Sequence, residues 1–540
     1  MQQRIEFAQR CSRQSSGIRF LLAAGILLAP AAVSQTATPT DHLPKPIHIT
    51  GGAVTGTPTI QWMPGVRLYR GIPFAAPPVG QLRWRPPQPV VPWTGVKAAD
   101  HFSPACMQPP TGTEGNAWRE GLASISEDCL YLNVWTPARS ADANLPVIVF
   151  IHGGGNVRGG ASENQYDGAY FARKGVVFVS FDYRMNVFGF LAHPELTAES
   201  DHHSSGNYAL LDQIAALQWV QKNIASFGGD PRKVMIFGHS AGASNVNSLL
   251  ASPLAHGLFA RALMQSGSNL AKGIPLSDAE KRGEAFATSA GAHSIAELRR
   301  MSAEDLIKAM PRQMGPIVDG WVLPQDVYST FAAGKQNDVP LVVGSVANDT
   351  PGPASGPTSA AAAPEYASKT FGDLGKEYIK LYSASNDDEA KRQELQFRSD
   401  AAMANARRLA ILQIHNGKSP VYWYRFTHVS PFPQGLMWDG KPADTYGAYH
   451  GGEIVYVFGA FPSQAWNWRP VDLKLGDEIS SMWVNFAKSG DPNGAGLPQW
   501  PQFNLASDRL LEFDDAPAAK RAPNEPALDF QDAVAAMRRK

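Results

Sequence analysis

A serine between two glycines is the residue of this chain whose setting points most directly to covalent chemistry. The segment Gly238-His-Ser240-Ala241-Gly242 follows an apolar run, residues 234–237, that is typical of a buried strand. The glycines predict a sharp turn into a helix, with Ser240 at its tip and the N–H of Ala241 directed at a developing negative oxygen. Because Gly-x-Ser-x-Gly also arises by accident, a nucleophile needs support from a base, an acid and a second oxyanion donor.

A glycine loop is the candidate for that second donor. His152-Gly-Gly-Gly155 directly follows a further apolar run, residues 147–151. Consecutive glycines let the backbone approach a substrate and turn two N–H groups the same way, so Gly154 and Gly155 are the predicted donors. A phosphate-binding loop is the alternative, but the Lys-Ser or Lys-Thr that would hold phosphate and metal does not follow.

The base must be one of thirteen histidines. His152 lies in the glycine loop, and His239 leaves the turn in a different direction from Ser240, so both are poorly placed. His450 lies between small residues after the serine, in the nucleophile, acid, histidine order of hydrolases. Surface or supporting positions are expected for the remaining candidates considered, His293, His415 and His428.

The acid is expected between Ser240 and His450, directly after a strand. Asp349 meets this condition, because it follows the apolar run of residues 341–344. A carboxylate there can hold the imidazole in the required tautomer and stabilise its charged form. The alternative is an ordinary buried or surface carboxylate.

Apolar runs and helical periodicity alternate along the chain, which favours an α/β fold with a mostly parallel central sheet flanked by helices. No internal repeat or obvious linker is visible, so we expect a single domain over residues 35–540, with its core at about 47–530. Surface loop or coil is predicted for residues 351–364 and 520–526. The predicted strands are residues 47–60, 66–74, 130–135, 147–151, 176–183, 234–237, 260–265, 341–344, 422–426 and 510–513, and the predicted helices are 208–224 and 478–487.

Composition excludes some classes of function. Hydrophobic residues make up 44% of the chain and charged residues 18%, which is enough apolar material for a sizeable core. The 48 Lys and Arg residues balance 48 Asp and Glu residues, and no long basic run lies outside the extreme N-terminus. Nucleic acid is therefore not an expected partner.

The N-terminal 34 residues have the pattern of a signal peptide. A basic leader precedes an apolar run, residues 20–33, and small residues at positions 32–34 offer a cleavage site before Gln35. The run is shorter than the roughly 20 residues of a membrane span, and an uncleaved anchor is the alternative. We expect a secreted or periplasmic protein without stable membrane insertion, and the oligomeric state stays open.

Removal of the leader would leave two cysteines, Cys106 and Cys129. An even pair in an oxidising compartment predicts a disulfide, with two free thiols as the alternative.

Several blocks are distributed along the chain: Tyr69-Arg-Gly-Ile-Pro-Phe-Ala-Ala-Pro-Pro, Glu127-Asp-Cys-Leu-Tyr-Leu-Asn-Val-Trp, His152-Gly-Gly-Gly, Gly206-Asn-Tyr-Ala-Leu-Leu-Asp-Gln, Phe227-Gly-Gly-Asp-Pro, the serine turn and His450-Gly-Gly-Glu-Ile-Val-Tyr-Val-Phe-Gly. Together these blocks resemble the type B carboxylesterases of the carboxylesterase/cholinesterase group. The resemblance implies an α/β-hydrolase fold with large insertions around the active-site gorge. It also implies a reaction that needs no metal or cofactor. It also implies that Ser240 is the nucleophile, His450 the base, and the N–H groups of Gly154, Gly155 and Ala241 the oxyanion donors. Cys106 and Cys129 correspond to a family disulfide, and Arg70 and Glu127 to structural ion-pair positions.

The chain departs from the family pattern around the site. Where the family has Asp-Glu-Gly, this chain has Asn348-Asp349-Thr350, so the acid is one methylene shorter. His239 replaces the usual Glu before the serine, and Asn156 replaces the usual aromatic after the glycine loop. These two substrate-pocket positions make the predicted gorge less acidic and less aromatic.

The predicted function is that of a secreted serine carboxylesterase acting on a small-molecule ester through an acyl-enzyme intermediate. Alternatives on the same triad are a lipase or an esterase specialised for feruloyl, polyester or toxin esters. From another class, a cholinesterase-like binding domain without chemistry is a further alternative.

Overall fold

One large sheet is the main element of the described residues, and the predicted site residues Ser240 and Asp349 follow two of its strands. The computed structural model describes residues 46–57, 63–110, 122, 124–311, 314–350, 356–438 and 440–539; the predicted signal peptide lies outside these ranges. Among the described residues ten strands form this sheet. In chain order they are β1 (Arg67–Pro73), β2 (Tyr131–Thr136), β3 (Leu145–Ile151), β4 (Val177–Phe181), β5 (Gly229–His239), β6 (Arg261–Gln265), β7 (Leu341–Val346), β8 (Val421–Phe426), β9 (Arg509–Phe513) and β10 (Ala518–Arg521).

The strand order across the sheet is β10-β9-β8-β7-β6-β5-β3-β4-β2-β1. The strands from β9 to β4 in this order pair parallel, whereas β1, β2 and β10 pair antiparallel at the two edges. The prediction of a mostly parallel sheet is therefore confirmed. Ser240 follows β5 and Asp349 lies three residues after β7, with β6 between these strands. Parallel strands end at the same edge, so the two residues meet there.

Successive residues of the central strands face opposite cores. Val147, Val149 and Ile151 of β3 belong to one apolar cluster, while Ile148 and Phe150 belong to the other. Both faces are covered because helix Tyr208–Asn223 contributes to the first cluster and helix Pro470–Ser489 to the second. Burial on both faces explains why these strands read as continuous apolar runs in the sequence.

Both predicted helices are present among the described residues, together with many helices that were not predicted. Helix 208–224 is observed as Tyr208–Asn223, and 478–487 lies within Pro470–Ser489. The α-helices are Ala169–Arg173, Asn186–Phe190, Pro194–Ala198, Tyr208–Asn223, Ala241–Ala251, Leu276–Ser289, Ile295–Arg300, Ala303–Ala309, Val327–Ala332, Ala363–Phe371, Gly375–Leu381, Asp387–Asn416, Ile454–Val457, Pro470–Ser489 and Glu525–Arg539. None of the helices in the described ranges is long and apolar enough to cross a membrane.

Several local predictions need correction. The strand predicted at 47–60 is two short strands, Ile47–Ile49 and Gly52–Gly56, which join Val96–Ala99 in a separate sheet; residues 58–62 lie outside the described ranges. Coil at 520–526 is wrong, because β10 pairs with β9 there and a helix begins at Glu525. In the loop predicted at 351–364, residues 351–355 are not described, and a helix begins at Ala363 with Pro364 in its first turn.

Covalent and ionic links hold the segment before β2. Cys106 and Cys129 form the predicted disulfide. Glu127 forms an ion pair with Arg83, whose guanidinium also donates to the main-chain carbonyl of Leu298 at 3.0 Å. Arg70 donates to the main-chain carbonyl of Asp100 and lies 5.3 Å from the ring of Phe102. The ion pair predicted for Glu127 is thus present, and its partner is Arg83.

Candidate active site

The turn between β5 and helix Ala241–Ala251 presents Ser240. Its backbone has φ 57° and ψ −124°, a left-handed conformation that is costly for a residue other than glycine. The N–H of Ser240 donates to the carbonyl of Gln265 at the end of β6, at 2.8 Å, and this bond holds the turn. The serine is therefore at the tip of a strained strand-to-helix turn, as the sequence predicts.

Gly242 allows the helix to pack against the neighbouring strand. A Cβ at this position would lie 2.0 Å from the carbonyl oxygen of Ile151, the last residue of β3. No side chain fits at that distance, so the second glycine of the motif is required by close approach of the helix to the sheet.

Ser240, His450 and Asp349 form a continuous chain of hydrogen bonds. Nε2 of His450 lies 2.8 Å from Oγ of Ser240, and its Nδ1 lies 2.5 Å from Oδ1 of Asp349. Asp349 is only 2% exposed, whereas the side chain of His450 is 18% exposed. The structure thus brings together three residues that the sequence suggested separately. Along the chain, His450 is 101 positions from Asp349 and 210 positions from Ser240.

A second buried carboxylate, Glu453, lies close to this chain. Nε2 of Gln265 lies 3.5 Å from Oε1 of Glu453, and Oε2 of Glu453 has no hydrogen-bond partner among the described residues. Burial, together with the nearby charge of Asp349, raises the pKa of Glu453 to about 7. In the sequence Glu453 is marked only by its place in the block that begins at His450, three residues after the predicted base.

Two carboxylates set the electrostatics of His450. Burial disfavours its charged form, but the charge and hydrogen bond of Asp349 and the charge of Glu453 outweigh burial, so the pKa of His450 is raised. An imidazolium formed by proton transfer from Ser240 would be stabilised by the same charges.

The ring of His239 contacts the ring of His450. It is buried, and its ring centroid lies 4.8 Å from that of His450. Burial first, and then the charge of His450, lower the pKa of His239 well below its usual value, which favours a neutral ring beside His450. The sequence predicts a substrate-pocket position for His239, but His239 is not among the described residues that line the cavity in front of Ser240.

The glycine loop faces the serine. Gly154 and Gly155 have φ values of 110° and 68°, and a Cβ on Gly154 would lie 1.8 Å from the carbonyl oxygen of Arg158. Within the described ranges the N–H groups of Gly154 and Gly155 donate no main-chain hydrogen bond. Gly155 and Ala241 line the same cavity as Ser240. Of the three predicted oxyanion donors, Gly155 and Ala241 therefore lie in the wall of this cavity, whereas Gly154 is not among its described lining residues.

A cavity of about 1070 Å³ opens in front of Ser240. Asn156 lies in its wall, and its Oδ1 accepts a hydrogen bond from Nδ2 of Asn245 at 2.9 Å. Arg282 carries the only charge among the described lining residues. The wall is otherwise mainly apolar, with Phe190, Leu191, Ile274, Phe286, Met314 and Ile317. A second cavity of about 730 Å³ shares Ser244, Ser266 and Asn269 with the first.

In the part of the chain that the structure describes, His, Cys, Asp and Glu do not gather in groups of three or more that could hold a metal ion.

Comparison with known proteins gives consistent matches along the chain. A family model described as "Carboxylesterase family" matches residues 44–531. A protein named Fumonisin B1 esterase, from Sphingopyxis macrogoltabida, is 36% identical over 520 residues, covering 91% of this chain and 90% of that protein. Human Cocaine esterase is 34% identical, covering 96% and 95% of the two chains. A solved structure of a PNB esterase superposes with a TM-score of 0.77 at 30% identity, covering 90% of this chain and 99% of the other.

Proposed function

The chain belongs to the carboxylesterase family, and from that premise we propose how its residues hydrolyse an ester. Membership makes the protein a carboxylic ester hydrolase of the serine hydrolase type. The likeness to PNB esterases confirms the predicted α/β-hydrolase fold. A binding domain without chemistry, one of the alternatives, is therefore set aside.

In the proposed first step, Oγ of Ser240 attacks the ester carbonyl while Nε2 of His450 takes its proton. The N–H groups of Gly154, Gly155 and Ala241 stabilise the oxyanion that forms. The imidazolium then protonates the departing alcohol, which leaves an acyl group on Ser240. In the second step His450 deprotonates a water molecule, which attacks the acyl group. The imidazolium then returns the proton to the departing Oγ of Ser240, so the carboxylic acid is released and the free enzyme is restored.

The hydrogen-bond chain from Asp349 through His450 to Ser240 is the observation that carries this proposal. Distances of 2.5 and 2.8 Å already match the reach required of a base and its orienting acid. Asp349 receives Nδ1–H, which leaves Nε2 free of a proton and ready to accept one. Asp349 would thereby serve in place of the family's longer Glu.

The test compares Ser240→Ala with Ser248→Ala on p-nitrophenyl butyrate. Ser248 is a buried serine of the same helix whose hydroxyl donates to the carbonyl of Ser244, and it is outside the cavity lining. We expect Ser240→Ala to lower kcat by about 10⁶-fold and Ser248→Ala to lower it by less than about threefold. A burst of p-nitrophenol equal to the enzyme concentration would mark the acyl-enzyme. Retention of most activity by Ser240→Ala would refute the assignment.

The cavity in front of Ser240 favours bulky esters. Its volume of about 1070 Å³ is at the upper end of the range for drug-sized ligands, roughly 300–1,000 Å³. The relatives are named for different substrates, fumonisin B1 and cocaine, so likeness to them does not select one ester. A graded panel of p-nitrophenyl esters separates the lipase alternative from an esterase for compact acyl groups, because a lipase would favour long chains.

We also propose that the protein is exported. The Cys106–Cys129 disulfide supports this, because structural disulfides persist in oxidising compartments. The test is to express the full chain in an exporting host and determine the N-terminal residue of the purified protein. The expected N-terminal residue is Gln35.

A further inference from the structure

The cavity in front of Ser240 contains one cation and no described counter-charge. Arg282 lines it from helix Leu276–Ser289, and no carboxylate is among the described lining residues. Ion pairs within 4 Å are absent for Arg282 across the described ranges, although the adjacent Lys281 pairs with Asp278 at 3.0 Å. Its guanidinium is therefore available to a ligand in the cavity.

The backbone that carries Arg282 is held firmly. The next residue, Gly283, is buried, and a Cβ there would lie 1.8 Å from the carbonyl oxygen of Ala192. This close approach fixes the helix against the cavity wall at Ala192. In addition Oε1 of Glu280, two residues before Arg282, accepts a hydrogen bond from the hydroxyl of Thr197 at 2.6 Å. Glu280 is thus engaged outside the cavity lining, and Asp278, four residues before Arg282 on the same face of the helix, pairs with Lys281.

A second donor of the same cavity is the side-chain amide of Asn156. Its Oδ1 is occupied by Asn245, so the amide orientation is set and Nδ2 is directed elsewhere. A Cβ on the cavity residue Gly315 would lie 3.6 Å from this nitrogen. Since the amide nitrogen is a donor only, it adds to the cation a group that favours an acceptor.

From these observations, and resting on the proposed ester hydrolysis, we propose that the enzyme selects esters that carry a free carboxylate away from the scissile bond, with Arg282 binding that carboxylate. A guanidinium presents a planar fork of donors that matches a carboxylate in two hydrogen bonds. Such a substrate is a half-ester of a polycarboxylic acid, or an ester whose alcohol part bears the acid group.

Two pairs of substrates distinguish these two sources. Monobutyl adipate against butyl hexanoate places the charge on the acyl side. The 6-(butyryloxy)hexanoate anion against hexyl butyrate places it on the alcohol side. For each pair the ratio of kcat/KM for the charged ester to that for the neutral ester is measured by pH-stat titration at pH 7.5 and low salt.

We expect the wild-type ratio to exceed one in at least one pair. Arg282→Gln lowers that ratio about fivefold, through a higher KM for the charged ester, and Arg282→Lys retains most of it. Lys281→Gln, the same loss of charge one residue away, leaves the ratio unchanged. Because Arg282 is solvent-exposed, the wild-type ratio also falls in 0.5 M NaCl.

A ratio of one or below in both pairs, or a ratio that Arg282→Gln does not change, overturns the proposal. Equal loss on charged and neutral esters also overturns it, because that pattern marks a structural role. Failure of ester hydrolysis itself is recognised separately, since the wild type would then turn over neither butyl hexanoate nor hexyl butyrate.

Discussion

Removing the charge of Asp349 is the sharpest test of the proposed site, because this residue departs from the family pattern. In Asp349→Asn the shape is kept, but the group 2.5 Å from Nδ1 of His450 is neutral. Two unit charges 4 Å apart interact by about 4 kcal/mol at an effective dielectric constant of 20, which corresponds to about 10³-fold in rate. If the amide also donates to Nδ1, the proton moves to Nε2 and the base is lost. We therefore expect kcat to fall by about 10³- to 10⁴-fold.

The assay is kcat and KM on p-nitrophenyl butyrate, with folding checked by circular dichroism. Asp400→Asn is the matched control: Asp400 is a buried carboxylate held by Tyr382, Gln396 and Asn524, outside the site. Asp349→Glu restores the charge but adds a methylene in a position that is 2% exposed, so we expect a loss of about 10- to 100-fold. A kcat for Asp349→Asn within tenfold of the wild type would show that Asp349 is not the triad acid.

Two further predictions concern pH and stability. Only neutral His450 can accept a proton, and its pKa is raised, so kcat/KM should fall with decreasing pH at a midpoint above pH 6.5. Glu453→Gln removes one of the charges that raise the pKa of His450. A pH–rate profile of this variant should therefore show the midpoint at lower pH. An unchanged midpoint would contradict an influence of Glu453 on the base. Replacing Cys106 and Cys129 together by Ser should lower the free energy of unfolding by about 3 kcal/mol, given the 23-residue separation, and an unchanged denaturant midpoint would contradict this estimate.

The arrangement of Ser240, His450 and Asp349 was accessible from the sequence because each lies in a local pattern with its own meaning. Apolar runs predict β5 and β7, and parallel strands place the residues after them at one edge of the sheet. The order along the chain, together with the small residues on either side, then favours His450 among thirteen histidines. Local patterns and one topological rule are sufficient for this part of the site.

Other elements carry no such pattern. Helix Asp387–Asn416 was not predicted, because its buried face includes Glu394, Asp400 and Gln413, which interrupt the apolar periodicity. Strand β10 has the sequence Ala-Ala-Lys-Arg, without β-branched or aromatic residues, and exists through its pairing with β9 at the sheet edge. In both cases tertiary contacts outweigh local propensity.

The proposed role of Arg282 in substrate selection rests on tertiary contacts of this kind. Arg282 is one of 48 basic residues, and nothing in the residues around it distinguishes it from Lys281. Arg282 differs from Lys281 through its place in the fold, because Gly283 brings the helix against Ala192 and Arg282 then lines the cavity. Lys281 instead pairs with Asp278, outside the cavity lining. The chemistry of the reaction is encoded at strand ends, where the chain must turn sharply, whereas the cavity wall comes from helices outside the sheet. Under the two proposals, members of the family can share the serine turn and differ in the esters they accept, and Arg282 is recognised as a selecting residue by its position in the fold.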